Sequence, residues 1–216
     1  STRKESSAAS DVYKRQREQG RLAGEIVPVR LASGDLVEAD GCIRPTTSAE
    51  ALANLKPAFR PDGVVTAGTS SPLTDGAAAV LVTSDAFAER HGLKALARIR
   101  SFATVGVDPA IMGIGPIPAT RKALARAGLS VADLDVVEIN EAFSSQALAC
   151  IRDLGLDPAT VNLDGGGLSI GHPLGATGAR ITGKAASLLA RENGRYALAT
   201  QCIGGGQGIA TILERV

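Results

Sequence analysis

Few residues in this chain are suited to chemistry, and three of them stand at turns. His172 lies within Gly165-Gly166-Gly167-Leu168-Ser169-Ile170-Gly171-His172-Pro173-Leu174-Gly175-Ala176-Thr177-Gly178, where six of fourteen residues are glycine. Cys202 opens the run Cys202-Ile203-Gly204-Gly205-Gly206-Gln207-Gly208, and Asn140 sits in Glu138-Ile139-Asn140-Glu141-Ala142-Phe143. A neutral imidazole takes up a proton near pH 7 without a large shift. A thiol facing a run of backbone N–H donors can exchange a proton beside a developing oxyanion. Together these groups suggest acyl or proton transfer. Each also has a plainer account: a helix cap for Asn140, a structural imidazole for His172, an inert core thiol for Cys202. The density of glycine around His172 favours function there, because glycine loses backbone entropy on ordering and is used where backbone must come close to something. The glycine runs do not follow the Gly-x-Gly-x-x-Gly pattern after a first strand, which counts against nucleotide binding.

These turns need a frame, and the pattern of apolar residues supplies one. Strands are expected over residues 64–67, 77–82, 94–102, 134–139, 160–163, 196–201 and 208–214. Helices are expected over 84–91, 116–127, 141–154 and 176–190, with Gly128 and Gly155 as stops. From residue 94 onward the order is β-α-β-α-β-α-β-β, a layered α/β sheet whose last two strands form a hairpin. The segment 77–82 reads as a buried strand. Upstream, 24–29 and 31–37 can pair through a turn at Ser33-Gly34-Asp35. Thr47 with Glu50 three residues later resembles a capping box for a short helix through Leu55. Residues 1–16 are polar and aperiodic and read as a disordered or non-native head, although 11–21 could form a short helix.

Composition narrows the classes. Of 216 residues 44% are hydrophobic but only 3% aromatic, so the core must be built from Ala, Val, Leu and Ile. A net charge of +1 gives no electrostatic case for nucleic acid. Three dispersed cysteines and two histidines suit neither a disulfide scaffold nor a metal centre. No apolar run approaches the roughly 20 residues of a membrane span, and no secretory signal pattern opens the chain.

The motifs, taken in order, resemble the thiolases, the coenzyme A-dependent acyltransferases. Asn140-Glu141-Ala142-Phe143, Gly171-His172-Pro173-Leu174-Gly175-Ala176-Thr177-Gly178 and Cys202-Ile203-Gly204-Gly205-Gly206-Gln207-Gly208 carry the resemblance. Met112-Gly113-Ile114-Gly115-Pro116-Ile117-Pro118-Ala119 and Gly68-Thr69-Ser70-Ser71-Pro72-Leu73-Thr74-Asp75-Gly76-Ala77 add to it. The resemblance runs from about residue 24 to Val216. It implies a thiolase-like layered α/β fold. Residues 92–216 would be a complete C-terminal domain with a mixed five-stranded sheet, 17–60 part of a coenzyme A-binding loop domain, and 61–91 the end of the N-terminal domain.

The resemblance also implies roles. His172 activates a nucleophilic thiol, Cys202 exchanges the α-carbon proton, and Asn140 orders a water that shares an oxyanion hole with His172. The backbone N–H of Gly204 serves the other hole, Ser71 bonds pantetheine, and Met112 and Phe143 line the acyl pocket. The reaction implied is thiolytic cleavage of 3-ketoacyl-CoA to acyl-CoA and acetyl-CoA, with condensation as its reverse. Coenzyme A is a substrate, and no separate cofactor is expected. The acylated cysteine belongs to an N-terminal region not matched here, so the chain is expected to be inactive by itself. Neither Cys42 nor Cys150 has a glycine-rich setting that would let it substitute. Family members form homodimers or homotetramers, and bacterial ones are cytoplasmic. The competing reading is a non-catalytic thiolase-like protein that binds acyl-CoA or lipid.

Overall fold

The computed structural model describes residues 11–44 and 47–216. Its centre is a four-stranded mixed sheet of β3 (Arg98–Gly106), β4 (Val136–Ile139), β5 (Tyr196–Ile203) and β6 (Gln207–Glu214), in the order β3-β6-β5-β4. The pairs β3–β6 and β5–β6 are antiparallel, and β4–β5 is parallel. Helices α4 (Pro116–Ala127), α5 (Ser144–Leu154) and α7 (Thr177–Arg191) cover the sheet. Alternation along the strands divides the core into two layers. Val137, Ile139, Leu198, Ala210 and Ile212 pack with Ile117, Ala123, Leu124, Cys150 and Leu154 of α4 and α5. Val136, Ala197, Ala199 and Leu213 face Ile181, Ala185, Leu188 and Leu189 of α7. Strands buried on both faces read as continuous small apolar runs, which is why 196–201 shows no polar alternation.

The fifth strand expected over 160–163 is reduced to one parallel bridge, Val161 to Val137. Beyond it, Asn162 turns to φ +47° and its side chain takes over the ladder. Ile139 N–H donates to Asn162 Oδ1 at 2.9 Å, and Asn162 Nδ2 donates to the Ile139 carbonyl at 3.0 Å. An amide side chain replaces a peptide group there, so the segment needs no further strand residues.

Other boundaries move for local reasons. The helix expected from Glu141 begins at Ser144, because Phe143 is extended and bridges Ser70 while Glu141 is drawn toward Asn162. The first edge strand runs Arg98–Gly106 rather than 94–102. The short helix α2 (Ala49–Ala53) is capped by Ser48, whose side chain accepts from Ala51 N–H at 3.1 Å, and not by a Thr47–Glu50 box. The upstream hairpin forms as β1 (Val29–Arg30) and β2 (Leu36–Val37). Helix α3 spans Asp85–Arg90.

Two expectations fail outright. Residues 64–67 form no strand; Thr66 and Thr69 are buried in a turn, where Thr66 N–H donates to Thr69 Oγ1 at 2.8 Å. Residues 77–82 form no strand and pair with none among the described residues, and Val80, Leu81 and Val82 are exposed by 45%, 75% and 67%. Without a neighbouring strand, their apolar side chains have no layer to enter. The unstructured head expected over 1–16 lies partly outside the described residues. Residues 11–18 form helix α1, with Tyr13 and Gln16 buried and the Tyr13 hydroxyl bonded to Asp40.

Candidate active site

Three loops converge on His172. The first leaves β4 at Asn140, whose N–H continues the ladder to the Thr200 carbonyl at 2.9 Å. Asn140 is wholly buried there. The second is the glycine-rich loop. The short helix α6 (Gly167–Ile170) ends at Gly171, which adopts φ +96° with Thr74 packed where a Cβ would stand. Only glycine fits that turn, and it delivers His172 to the site. The third is the segment through Ser71. Ser71 N–H and Oγ both donate to the Ala142 carbonyl, at 3.0 and 3.2 Å, and His172 N–H donates to the Pro72 carbonyl at 3.2 Å.

Asn140 Nδ2 and His172 Nε2 are 3.2 Å apart, and His172 Nδ1 is 2.7 Å from Thr177 Oγ1. The Thr177 hydroxyl donates its single proton to the Pro173 carbonyl at 3.0 Å. Its oxygen therefore accepts from His172 Nδ1–H, which assigns the tautomer. The Nε2 lone pair is left facing Asn140 Nδ2–H. Burial lowers the imidazole's proton affinity, and the positive charge of Arg180 lowers it further. The ring therefore favours the uncharged form, with its unprotonated Nε2 turned toward the Asn140 amide.

A clamp holds the first two loops together. The Glu141 carboxylate accepts from Asn162 Nδ2 at 2.6 Å and from Leu168 N–H at 3.1 Å. A Cβ at Gly166 would overlap that carboxylate. Burial raises the Glu141 proton affinity, and these two donors oppose it.

Cys202 is the last residue but one of β5, on the face that alternation gives to α4 and α5, and is 8% exposed. Burial raises its thiol above the usual range, so it stays protonated at neutral pH. Gly204 lies in the exposed β5–β6 turn with open space where a Cβ would be. Met112 is half-buried in the 3-10 turn Pro109–Ile114, and Phe143 is half-buried at the start of α5. Cys150 is wholly buried, its thiol donates to the Gly113 carbonyl at 3.4 Å, and burial pushes it up to about 12. A thiol so placed is no nucleophile. Among the described residues no cluster of three metal-ligating side chains occurs, and no helix is long and apolar enough to cross a membrane.

In the sequence Thr177 stands only as part of the histidine motif, and Asn162 only as part of an expected strand. Thr177 was findable as a hydroxyl on the first turn of the helix following a histidine. Asn162 carried no such signal, since its role comes from a backbone turn.

Comparison with known proteins matches residues 93–215 to the thiolase C-terminal domain and residues 8–86 to the thiolase N-terminal domain. The chain belongs to the thiolase family. An acetyl-CoA acetyltransferase of Paracoccus denitrificans is 55% identical over 199 residues, covering 91% of this chain and 51% of its own length. A 3-ketoacyl-CoA thiolase of Erwinia tasmaniensis is 55% identical over 205 residues, covering 91% of this chain and 53% of its own length. The crystal structure of human mitochondrial 3-ketoacyl-CoA thiolase superposes with a TM-score of 0.92 at 39% identity, over 100% of this chain and 55% of that one. This thiolase chain therefore spans about half the length of the curated relatives it matches. The N-terminal match begins at residue 8, upstream of the limit near residue 24 that the motifs mark.

Proposed function

We propose that this chain contributes the base and the second acid–base group of a thiolase that cleaves 3-ketoacyl-CoA with free coenzyme A. The observation that carries the reading is the Asn140–His172 contact at 3.2 Å, with Nδ1 anchored on Thr177. In this proposal His172 Nε2 takes the proton of a nucleophilic cysteine supplied by the remaining half of a thiolase. The thiolate adds to the 3-keto carbon, and the bond between C2 and C3 breaks. Its electron pair passes to the α-carbon of acetyl-CoA, which takes a proton from the Cys202 thiol. The incoming coenzyme A gives its thiol proton to the Cys202 thiolate and its sulfur takes the acyl group, and the cysteine thiolate that leaves recovers its proton from His172. Splitting carbon–carbon cleavage into two transfers lowers each barrier.

Substrate contacts follow the same reading. The human mitochondrial thiolase has been solved in complex with CoA at 38% identity to this chain. By that likeness, residues 17–60 and Ser71 would meet pantetheine, with Met112 and Phe143 along the acyl group and Gly204 N–H at the thioester oxygen. A binding-only role gains no support, since the relatives bear the names of acyltransferases. The experiment is complementation. The purified chain alone is expected to show no thiolysis of acetoacetyl-CoA. Mixed or co-expressed with a thiolase N-terminal half, it should give turnover that His172→Ala abolishes. A folded, assembled complex without turnover would refute the proposal.

A further inference from the structure

Glu141 follows Asn140 directly but does not serve the helix after it. α5 begins at Ser144 without a side-chain cap, and Ser144 N–H donates to the Thr69 carbonyl at 2.9 Å. The Glu141 carboxylate turns instead to two donors outside its own helix. Asn162 Nδ2 reaches Oε1 at 2.6 Å, and Leu168 N–H reaches Oε2 at 3.1 Å. Each end of this bridge continues to a residue of the site. Asn162 exchanges two hydrogen bonds with Ile139, the residue before Asn140, at 2.9 and 3.0 Å. Leu168 lies in α6, whose turn is closed by Ile170 N–H to the Gly166 carbonyl at 3.1 Å and by Gly171 N–H to the Gly167 carbonyl at 3.0 Å. His172 follows at once. Among the described residues no other hydrogen bond joins the turn 140–143 to α6.

We propose that Glu141 is a positioning residue: its carboxylate fixes α6 against the turn after β4 and so sets the distance between the Asn140 amide and the His172 ring. This rests on the reading of His172 as the base. The other bonds to His172 leave that distance open. Thr177 holds Nδ1 at 2.7 Å and the Pro72 carbonyl holds the backbone N–H at 3.2 Å, but neither residue belongs to the turn that carries Asn140. Packing brings the same parts together. A Cβ at Gly166 would stand 2.4 Å from the Glu141 carboxyl carbon, and one at Gly167 would stand 3.1 Å from Asn140 Oδ1, so α6 starts hard against both side chains. A carboxylate suits the task because it offers two acceptor oxygens and no donor, and its charge strengthens both bonds. The precision matters, since a misplacement of about 1 Å can cost roughly a hundredfold in rate.

The test breaks the bridge and reads the Asn140–His172 contact itself. Glu141→Gln keeps the shape but sets an NH2 group opposite one of the two donors. Gly166→Ala keeps the charge and every polar group, and its Cβ displaces the carboxylate; Gly166 is extended at φ −129°, so alanine brings no backbone strain. In NMR spectra of the 216-residue protein, a nuclear Overhauser effect should join the Asn140 side-chain amide protons to the carbon-bound ring protons of His172. Both variants should weaken it and move the Asn140 amide toward the position of a free amide, while the Nδ1–H tautomer set by Thr177 is kept. In the complemented enzyme, kcat for thiolysis of acetoacetyl-CoA should fall roughly ten- to a hundredfold with KM little changed. A folded variant that melts earlier yet keeps the Asn140–His172 signals would overturn the proposal, because Glu141 would then be structural only. So would an unchanged kcat in a variant that has lost them. If Glu141→Gln fails to fold, Gly166→Ala decides by the same criteria. Failure of the thiolase reading would appear separately, as a native complemented assembly without turnover, and the NMR spectra would still decide what Glu141 holds.

Discussion

Thr177 Oγ1 accepts from His172 Nδ1 at 2.7 Å while passing its own proton to the Pro173 carbonyl at 3.0 Å. One hydroxyl thereby fixes both the tautomer and the tilt of the ring. Thr177→Val preserves shape and removes both bonds. In ring-nitrogen NMR spectra, His172 of the native chain is expected as the Nδ1–H form, and the variant as a mixture of tautomers. In the complemented enzyme, turnover should fall roughly ten- to a hundredfold, the usual cost of a misplaced catalytic group. A pure Nδ1–H tautomer in the variant would show that Thr177 does not hold the ring.

Gly115 and Gly208 meet backbone to backbone where the entry to α4 crosses the start of β6. A Cβ on Gly208 would overlap the Gly115 carbonyl, and one on Gly115 would overlap the Gln207 carbonyl. Backbone on both sides leaves no side chain that can move away. Gly208→Ala should therefore cost about 3 kcal/mol, at the upper end of overpacking effects. Chemical denaturation would read it as a lower midpoint with an unchanged slope. Gly204→Ala, in open space one turn away, serves as the control.

Asp164 joins α7 to the segment after α1. Its carboxylate accepts from Arg191 at 2.7 and 2.8 Å, and Lys184 Nζ lies 2.5 Å from it while also bonding Glu25. Burial alone would raise Asp164, but the bonds from Arg191 and Lys184 prevail and hold it below its ordinary value. The stabilisation it brings is present above the unfolded carboxylate's value of 3.8 and fades as pH falls through its lower folded value. Asp164→Asn should cost about 2 kcal/mol at pH 7, below the usual figure for breaking a buried pair because Glu25 and Glu192 keep their cations partnered. Thermal melts at pH 7 and near pH 3 should show that the penalty shrinks in acid.

The regular part of this fold was readable because local and tertiary signals agree there. Pro116 at the first turn and Gly128 at φ +70° bound α4 where the pattern placed it, and Gly155 at φ +67° ends α5 as expected. Asn140 and His172 were both marked by their turns, and the structure brings them into contact. What stayed hidden depends on partners distant in sequence. Asn162 replaces a strand only because Ile139 lies beside it, and Glu141 leaves α5 only because Asn162 and Leu168 compete for it. The run 77–82 has the composition of a core strand, but burial needs a neighbour, and composition cannot supply one.

That same run sets a solution property. Leu81 and Val82 are exposed by 75% and 67% in a segment that pairs with no strand among the described residues, and so offers apolar side chains and backbone to other chains. The isolated chain should associate as concentration rises. Leu81→Lys with Val82→Lys should reduce this without changing the helical signal. Size-exclusion chromatography across a concentration series decides, and a concentration-independent monomer in the unaltered chain would contradict the expectation.

Glu138 should leave a signature opposite in sign to that of Asp164. Burial raises it from 4.5 to about 8, so the folded chain keeps a proton that the unfolded chain has lost in that interval. The stabilisation is complete below about 4.5, declines as pH rises, and is gone once the folded group ionises near 8. Glu138→Gln keeps the shape and the neutral state of the protonated acid at every pH. The variant and the native chain should therefore have similar melting temperatures near pH 4.5, with the variant gaining steadily toward pH 8 and level thereafter. A constant difference across the series would mean that Glu138 is already ionised in the folded chain. Arg180 and Lys184, the two cations that oppose the effect of burial on Glu138, would then hold it as counter-ions.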